Sequence, residues 1–241
     1  MPMPRPFKYH GLAWGVDADI TDPGPYRLDR HGKAELPNQN AGKISGSHPG
    51  YTTTDAISHG PCSTLVNAMA EDSNGFFRTE ITATVDNLRV DGKVKLTVDR
   101  ITLGIVTVYR RQWYDGNSHH ARRTRVLPFA CSLENAVIGG KALNAVLPPP
   151  FHYSDAQREE YLTADEPDRR MDAEVRAAIT SSPSRFIYVP EFGRIFYGEW
   201  TLLPGDTWNP IHQIAMVRMA FGTPPSGGGT GSGGHGNGSG G

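Results

Sequence analysis

The chain reads as all-β: an antiparallel β-sandwich or barrel-like domain with a short helical insertion and a disordered, Gly-rich C-terminal tail. Three observations predict this. Apolar residues alternate with period two over long stretches, turn residues punctuate those stretches, and only one segment switches to helical spacing. Many short strands divided by turns belong to sandwich and barrel architectures.

In chain order, strands are predicted over residues 9–20 and 63–69, and then from Phe77 onward. There Phe77, Ile81, Ala83 and Val85 form an inward set against outward Arg78, Glu80, Thr82, Thr84 and Asp86. The phase then slips by one to Leu88 and Val90. A slip in a period-two pattern exchanges the two faces, so a bulge or bend is expected near Asn87. Asp91-Gly92 supplies a hairpin turn, Val94, Leu96 and Val98 resume the alternation, and a second slip at Asp99-Arg100 leads into Ile101, Leu103 and Ile105. Further strands are predicted over 127–137, 143–147, 186–189, 194–202 and 211–221, with Trp200 inward in the series Phe196, Gly198, Trp200, Leu202. Asp22-Pro23-Gly24, Ser73-Asn74-Gly75, Asp115-Gly116-Asn117 and Pro204-Gly205-Asp206 are turns.

Residues 151–183 break the pattern. Ser154-Asp155-Ala156-Gln157 has the form of a capping box, and Glu166-Pro167-Asp168 opens a second helix whose Met171, Val175, Ala178 and Ile179 share one face. That narrow stripe is expected to lie on the sheet. Residues 84–93 and 132–141 share an apolar, acid, Asn, Gly-Lys order, which reads either as a repeated strand-turn unit or as one turn chemistry used twice. One domain is expected over 1–225. The stretch 226–241, nearly all Gly and Ser, lacks side chains to offset the entropy of ordering and reads as a flexible coil.

With 24 Lys and Arg against 25 Asp and Glu, no whole-molecule field marks a nucleic-acid or membrane-surface protein. No apolar run approaches the roughly 20 residues needed to cross a bilayer, and the first residues lack the apolar stretch of a secretory signal. This leaves a cytoplasmic protein, an unconventional export route or a processed form. There is no glycine loop of the phosphate-cradling kind and no nucleophile elbow, so no cofactor is expected.

The most distinctive surface feature runs from Tyr109 to Arg125. Folded as a hairpin, it gathers Arg110, Arg111, Trp113, Tyr114, His119, His120, Arg122, Arg123 and Arg125 onto one ribbon, suited to phosphate, sulfate or carboxylate groups of an anionic polymer and to stacking. The competing reading is a solvated hairpin whose arginines pair with local acids. His119 and His120 are adjacent, so on a strand they point to opposite faces and do not chelate one metal, and no metal ligand set is assigned. Cys131 alternates with Phe129 and Leu133 on the buried face, while Cys62 follows the turn His59-Gly60-Pro61. The two would bridge only in an oxidising compartment. His152 and His212 are the residue types of a small polar pocket in a barrel mouth. Of the tryptophans Trp14, Trp113, Trp200 and Trp208, the default in a β-domain is partial burial.

The order of segments resembles the choice-of-anchor P family of bacterial surface proteins. The resemblance rests on residues 10–18, Asp22-Pro23-Gly24-Pro25, residues 81–88, 96–101, 134–140, 188–195 and 211–216. It implies an all-β extracellular or cell-surface protein with no catalytic residues to carry over. This chain departs from that pattern in lacking a visible signal peptide, an anchor helix or a sorting motif. The leading expectation is a non-enzymatic structural or adhesive protein, partnered by itself or by a cell-surface polymer. The alternatives are a hairpin module holding an anionic polymer and a small enzyme with a His-lined pocket, with the cytoplasm as the other location.

Overall fold

The computed structural model describes residues 9–20, 26–52, 56–110, 124–166, 168–203, 211–221 and 230–240. The chain first forms β1 (Tyr9–Ile20), β2 (Tyr26–His31) and β3 (Ala34–Gln39). It continues through β4 (Gly42–His48), β5 (Tyr51–Thr52), β6 (Ile57–His59), β7 (Cys62–Met69), β8 (Phe76–Val90), β9 (Leu96–Arg110), β10 (Arg125–Glu134), β11 (Val137–Ile138) and β12 (Lys141–Ala142). Helices α1 (Asp155–Thr163) and α2 (Arg169–Thr180) follow. The last strands are β13 (Phe186–Val189), β14 (Gly193–Leu203), β15 (Ile211–Phe221) and β16 (Thr230–Gly240).

These groups sort into two antiparallel sheets. Strands β4 to β12 make a nine-stranded sheet, and β1 to β3 with β13 to β16 make a seven-stranded one. The sheets pack face to face across β1, where a Cβ on Gly11 would lie 2.6 Å from Val66 of β7 and one on Gly15 would lie 2.8 Å from the Cys62 Cβ. Only glycine allows that approach. The all-β class is therefore correct, and the apolar core is continuous between the sheets and the helices.

The two predicted phase slips face each other. Register is unbroken from Phe76↔Arg110 to Val90↔Leu96, but Asn87 and Asp99 drop out of the ladder between Asp86↔Arg100 and Leu88↔Val98. Asn87 adopts a φ of 50°, which asparagine tolerates, and the buried set passes from Val85 to Leu88 on one strand and from Val98 to Ile101 on the other. The two similar segments flank β9 at matching positions: Asp86 and Glu134 both pair with Arg100, and Asn135 also has a φ of 50°. Asn135 Nδ2 donates to Asp99 at 2.8 Å.

A third phase change went unseen in the sequence. Gly198, with a φ of 56°, separates Tyr197↔Val217 from Glu199↔Ala215. Trp200 is in the core as expected, but Phe196, though buried, is outside the central apolar cluster, on the outer face and covered by Arg218, whose guanidinium lies 3.8 Å from its ring centroid. Leu202 is exposed rather than inward. Residues 143–147 also differ: the strand ends at Ala142, ahead of three prolines that have no N–H to donate to a ladder.

The helical insertion forms as its caps predict. Ser154 accepts from the Gln157 amide at 3.3 Å while the Gln157 side chain accepts from the Ser154 amide at 2.9 Å. Asp168 caps α2 by accepting from Arg170 and Met171. Met171, Val175 and Ala178 are buried, so the stripe does lie on the sheet layer. Arg78 of β8 pairs with Glu159 of α1 at 2.9 Å, and Arg185 donates to the carbonyls of Ala178 and Gly198, tying α2 to β14. Among the described residues no helix is long and apolar enough to cross a membrane.

Composition alone makes the tail a coil. In the structure the backbone of Thr230–Gly240 is laid between β15 and β1, using main-chain groups that need no side chain. Residues 222–229 and 241 lie outside the described residues.

Candidate functional site

Three short strands end on histidine: His31 closes β2, His48 closes β4 and His59 closes β6. Since β2 belongs to one sheet and β4 and β6 to the other, sheet packing brings the three rings together at the rim of the sandwich. Their ligand nitrogens all lie within 4.8 Å of one another. His31 stacks on His48 with centroids 3.8 Å apart and planes at 8°, and the Tyr51 ring lies 5.2 Å from His31 at 66°.

Hydrogen bonds assign protons to these rings. The Gly60 carbonyl, 2.7 Å from His59 Nδ1, can only accept, so Nδ1 carries the proton and Nε2 presents a lone pair. That Nε2 lies 2.9 Å from His31 Nδ1, which must then donate. His48 Nδ1 accepts from the Gly50 amide at 3.3 Å. Burial, followed by the neighbouring His48 and His59, pushes the His31 pKa down to about 4. Burial lowers that of His59 as well, opposed by its bond to the Gly60 carbonyl. His31 is therefore neutral at pH 7.

Two of the hairpin residues proposed for an anionic polymer lie among the described residues, and both face inward to the protein. Arg110 pairs with Asp165 and lies 4.9 Å from the centroid of Phe76. Arg125 is 5% exposed and donates to the carbonyls of Tyr161 at 2.7 Å, Ala164 at 2.5 Å and Asp165 at 3.0 Å, closing the C-terminal end of α1. Arg111, Trp113, Tyr114, His119, His120, Arg122 and Arg123 lie outside the described residues.

The bridge between Cys62 and Cys131 is corrected: both thiols are free. Cys62 is on β7 and Cys131 on β10, with β8 and β9 between them. Three strand spacings of about 4.8 Å separate them by roughly 14 Å along the sheet, against an upper limit near 7 Å for a disulfide. Burial also raises the pKa of Cys62 and pushes that of Cys131 up to about 12, so neither is a thiolate nucleophile at neutral pH.

His152 is exposed on the single turn before α1, whereas His212 is held from the sheet by Trp200, whose indole N–H donates to His212 Nδ1 at 3.1 Å. An indole cannot accept, so protonating that nitrogen breaks the bond, and burial lowers the His212 pKa to about 4. As pH falls below about 6.5 the unfolded chain takes up this proton first. Stability is therefore expected to fall between pH 6.5 and 4, by at most about 3 kcal/mol from this residue. Urea midpoints at pH 7 and 4.5 check this, and His212→Gln, which still accepts from Trp200 without titrating, should show a shallower loss. Equal slopes would exclude the assignment.

A second surface feature is the β13 end of the seven-stranded sheet. Among the described residues strand β13 pairs only with β14, and its Phe186 and Tyr188 are 38% and 44% exposed. Phe186 sits 5.5 Å from Phe196, with Arg194 over it at 4.9 Å. Arg218 makes a two-pronged pair with Glu199 at 2.6 and 2.8 Å, fixing the ladder of arginines and aromatics on this outer face.

Residues 7–169 match a family model described as Domain of unknown function (DUF8256). The chain belongs to the DUF8256 family. The part of this DUF8256 chain that matches carries β1 to β12, α1 and all three clustered histidines, while β13 to β16 lie beyond it. No curated protein and no solved structure matches the chain.

The histidine cluster was missed in the sequence because its members sit on short, polar strands far apart in number. One signal was there: His31-Gly32, His48-Pro49-Gly50 and His59-Gly60-Pro61 each place a histidine directly before a glycine turn.

Proposed function

We propose that this chain is a non-enzymatic structural β-domain that self-associates, at the cell surface, through the edge strand β13. The observation that carries the reading is the composition of that edge. Phe186-Ile187-Tyr188-Val189 contains no charge and no proline, the usual devices that keep a sheet edge from pairing with another chain. Its exposed Phe186 and Tyr188 stand on one face, and Leu202 and Leu203 add further exposed apolar surface at the end of β14. Two copies joined antiparallel through β13 would form one continuous sheet by an isologous contact. The resemblance to choice-of-anchor P surface proteins supports the location.

The test is light scattering of the full chain over a concentration series, beside Phe186→Lys with Tyr188→Glu. The expected result is a mass at least twice that of the chain, falling to one chain in the double variant. A single-chain mass throughout would end the proposal for self-association. Protease shaving of intact cells tests the location, and full protection would place the protein inside.

A further inference from the structure

We infer that His31, His48 and His59 form a binding site for one divalent first-row transition metal ion of the Zn²⁺ class. Imidazole nitrogen is a favoured ligand of these ions, and three protein nitrogens with a fourth position left for water or another ligand is an established tetrahedral arrangement. Here three such nitrogens lie within 4.8 Å, offered by three strand ends that belong to two different sheets.

The outer hydrogen bonds suit this role. Ligating histidines characteristically donate their other ring N–H to a carbonyl, which fixes tautomer and orientation, and His59 Nδ1 does so to Gly60. His59 Nε2 is thereby directed at His31 Nδ1 at 2.9 Å. Two nitrogens on one tetrahedral ion with bonds of 2.0–2.1 Å stand about 3.3 Å apart. The pair thus needs to open by only a few tenths of an ångström for an ion to replace the shared proton. That proton moves to His31 Nε2, so His31 changes tautomer and the ring stays neutral. The third ligand, His48, has to turn out of its parallel stack on His31, because parallel rings aim their lone pairs side by side. Its bond from Gly50 is the longest in the cluster, so little holds it.

Glycine turns make the rim tight enough to keep these strand ends together. Gly32 has a φ of 66° and a Cβ there would lie 2.9 Å from Cys62 Sγ, while the Thr64 hydroxyl donates to the Gly32 carbonyl. The turn after His31 is thus fastened to β7, next to the residue that pairs with His48. An ion at this point would join β2 of one sheet to β4 and β6 of the other.

The full chain without an affinity tag, stripped with EDTA, is titrated with ZnCl₂ by calorimetry at neutral pH, and Co²⁺ is added separately to read its ligand-field absorption. The expected results are one Zn²⁺ per chain at micromolar affinity or tighter, a higher unfolding temperature with Zn²⁺, and an intense tetrahedral Co²⁺ spectrum. His48 is only half-buried, so His48→Ala should keep its metal-free stability yet bind Zn²⁺ roughly 100-fold more weakly. Should that variant fail to fold, His48→Gln serves with the same expectation. His119→Ala, His120→Ala and His235→Ala together remove other histidines of the chain and should leave binding unchanged. The inference is overturned if stripped protein binds no Zn²⁺, if the His48 variants bind as tightly as the parent, or if the triple variant abolishes binding.

Discussion

Replacing Arg125 by methionine is expected to destabilise the fold by roughly 4 kcal/mol, a loss of about 8–16 °C in Tm for a chain of this size. Methionine keeps the apolar length of the side chain but removes every donor. Three carbonyls at and just beyond the end of α1, those of Tyr161, Ala164 and Asp165, then lose their partner in a site where the guanidinium was 5% exposed. The Tyr161 bond is buried and the other two are half-buried; an unsatisfied buried carbonyl costs about 1–3 kcal/mol, a half-buried one less, and the positive charge that faced the helix C-terminus is lost with them. Arg125→Lys should recover only part of the difference, since one ammonium cannot span three carbonyls as a planar guanidinium does. Urea unfolding at neutral pH decides it. A loss under about 1 kcal/mol for Arg125→Met would mean that water replaces the guanidinium, and that the arginine is available for another role.

Gly46→Ala is expected to cost about 3 kcal/mol or more, through overpacking against backbone that cannot rotate away. A Cβ at this position would lie 2.6 Å from the Gly32 carbonyl oxygen and closer still to the Lys33 carbonyl. Gly46 is paired with Thr64, whose own hydroxyl holds the Gly32 carbonyl, so neither neighbour has room to move. The side chain would push the β2–β3 turn off β4 and separate His31 from His48. The variant should therefore lose stability and the contact between those two rings together, read as a lower urea midpoint and as altered imidazole chemical shifts of both histidines. Wild-type stability with unchanged shifts would show that β3 and β4 can slide apart without effect on the rim.

Each of these positions illustrates how much the chain discloses in one dimension. Arg125 stood out in the sequence as one of five arginines on a basic ribbon, and that reading made it a ligand contact. Its partners are about 36 to 40 residues away, on the end of a helix whose docking on β10 no local pattern reveals. Gly46 carried no signal, because its neighbours Gly32 and Lys33 reach it only through packing of one sheet's turn against the other's strand. The histidine cluster was hidden for the same reason, although its three His-then-glycine turns were present in the residue order.

Features that depend on residues a few positions apart are legible in the residue order: period-two alternation, the paired phase slips at Asn87 and Asp99, the Ser154 capping box and the Asp168 cap. A strand or a helix terminus is governed by its own dihedrals and nearest hydrogen bonds, so its signature is local. Which strands became neighbours depends instead on how the whole chain packs. That order set two intervening strands between Cys62 and Cys131, reversed the phase at Gly198, turned Phe196 outward, and gathered His31, His48 and His59 at one rim. Such outcomes follow from which hydrophobic faces bury each other, a property of the whole chain that no window of adjacent residues contains.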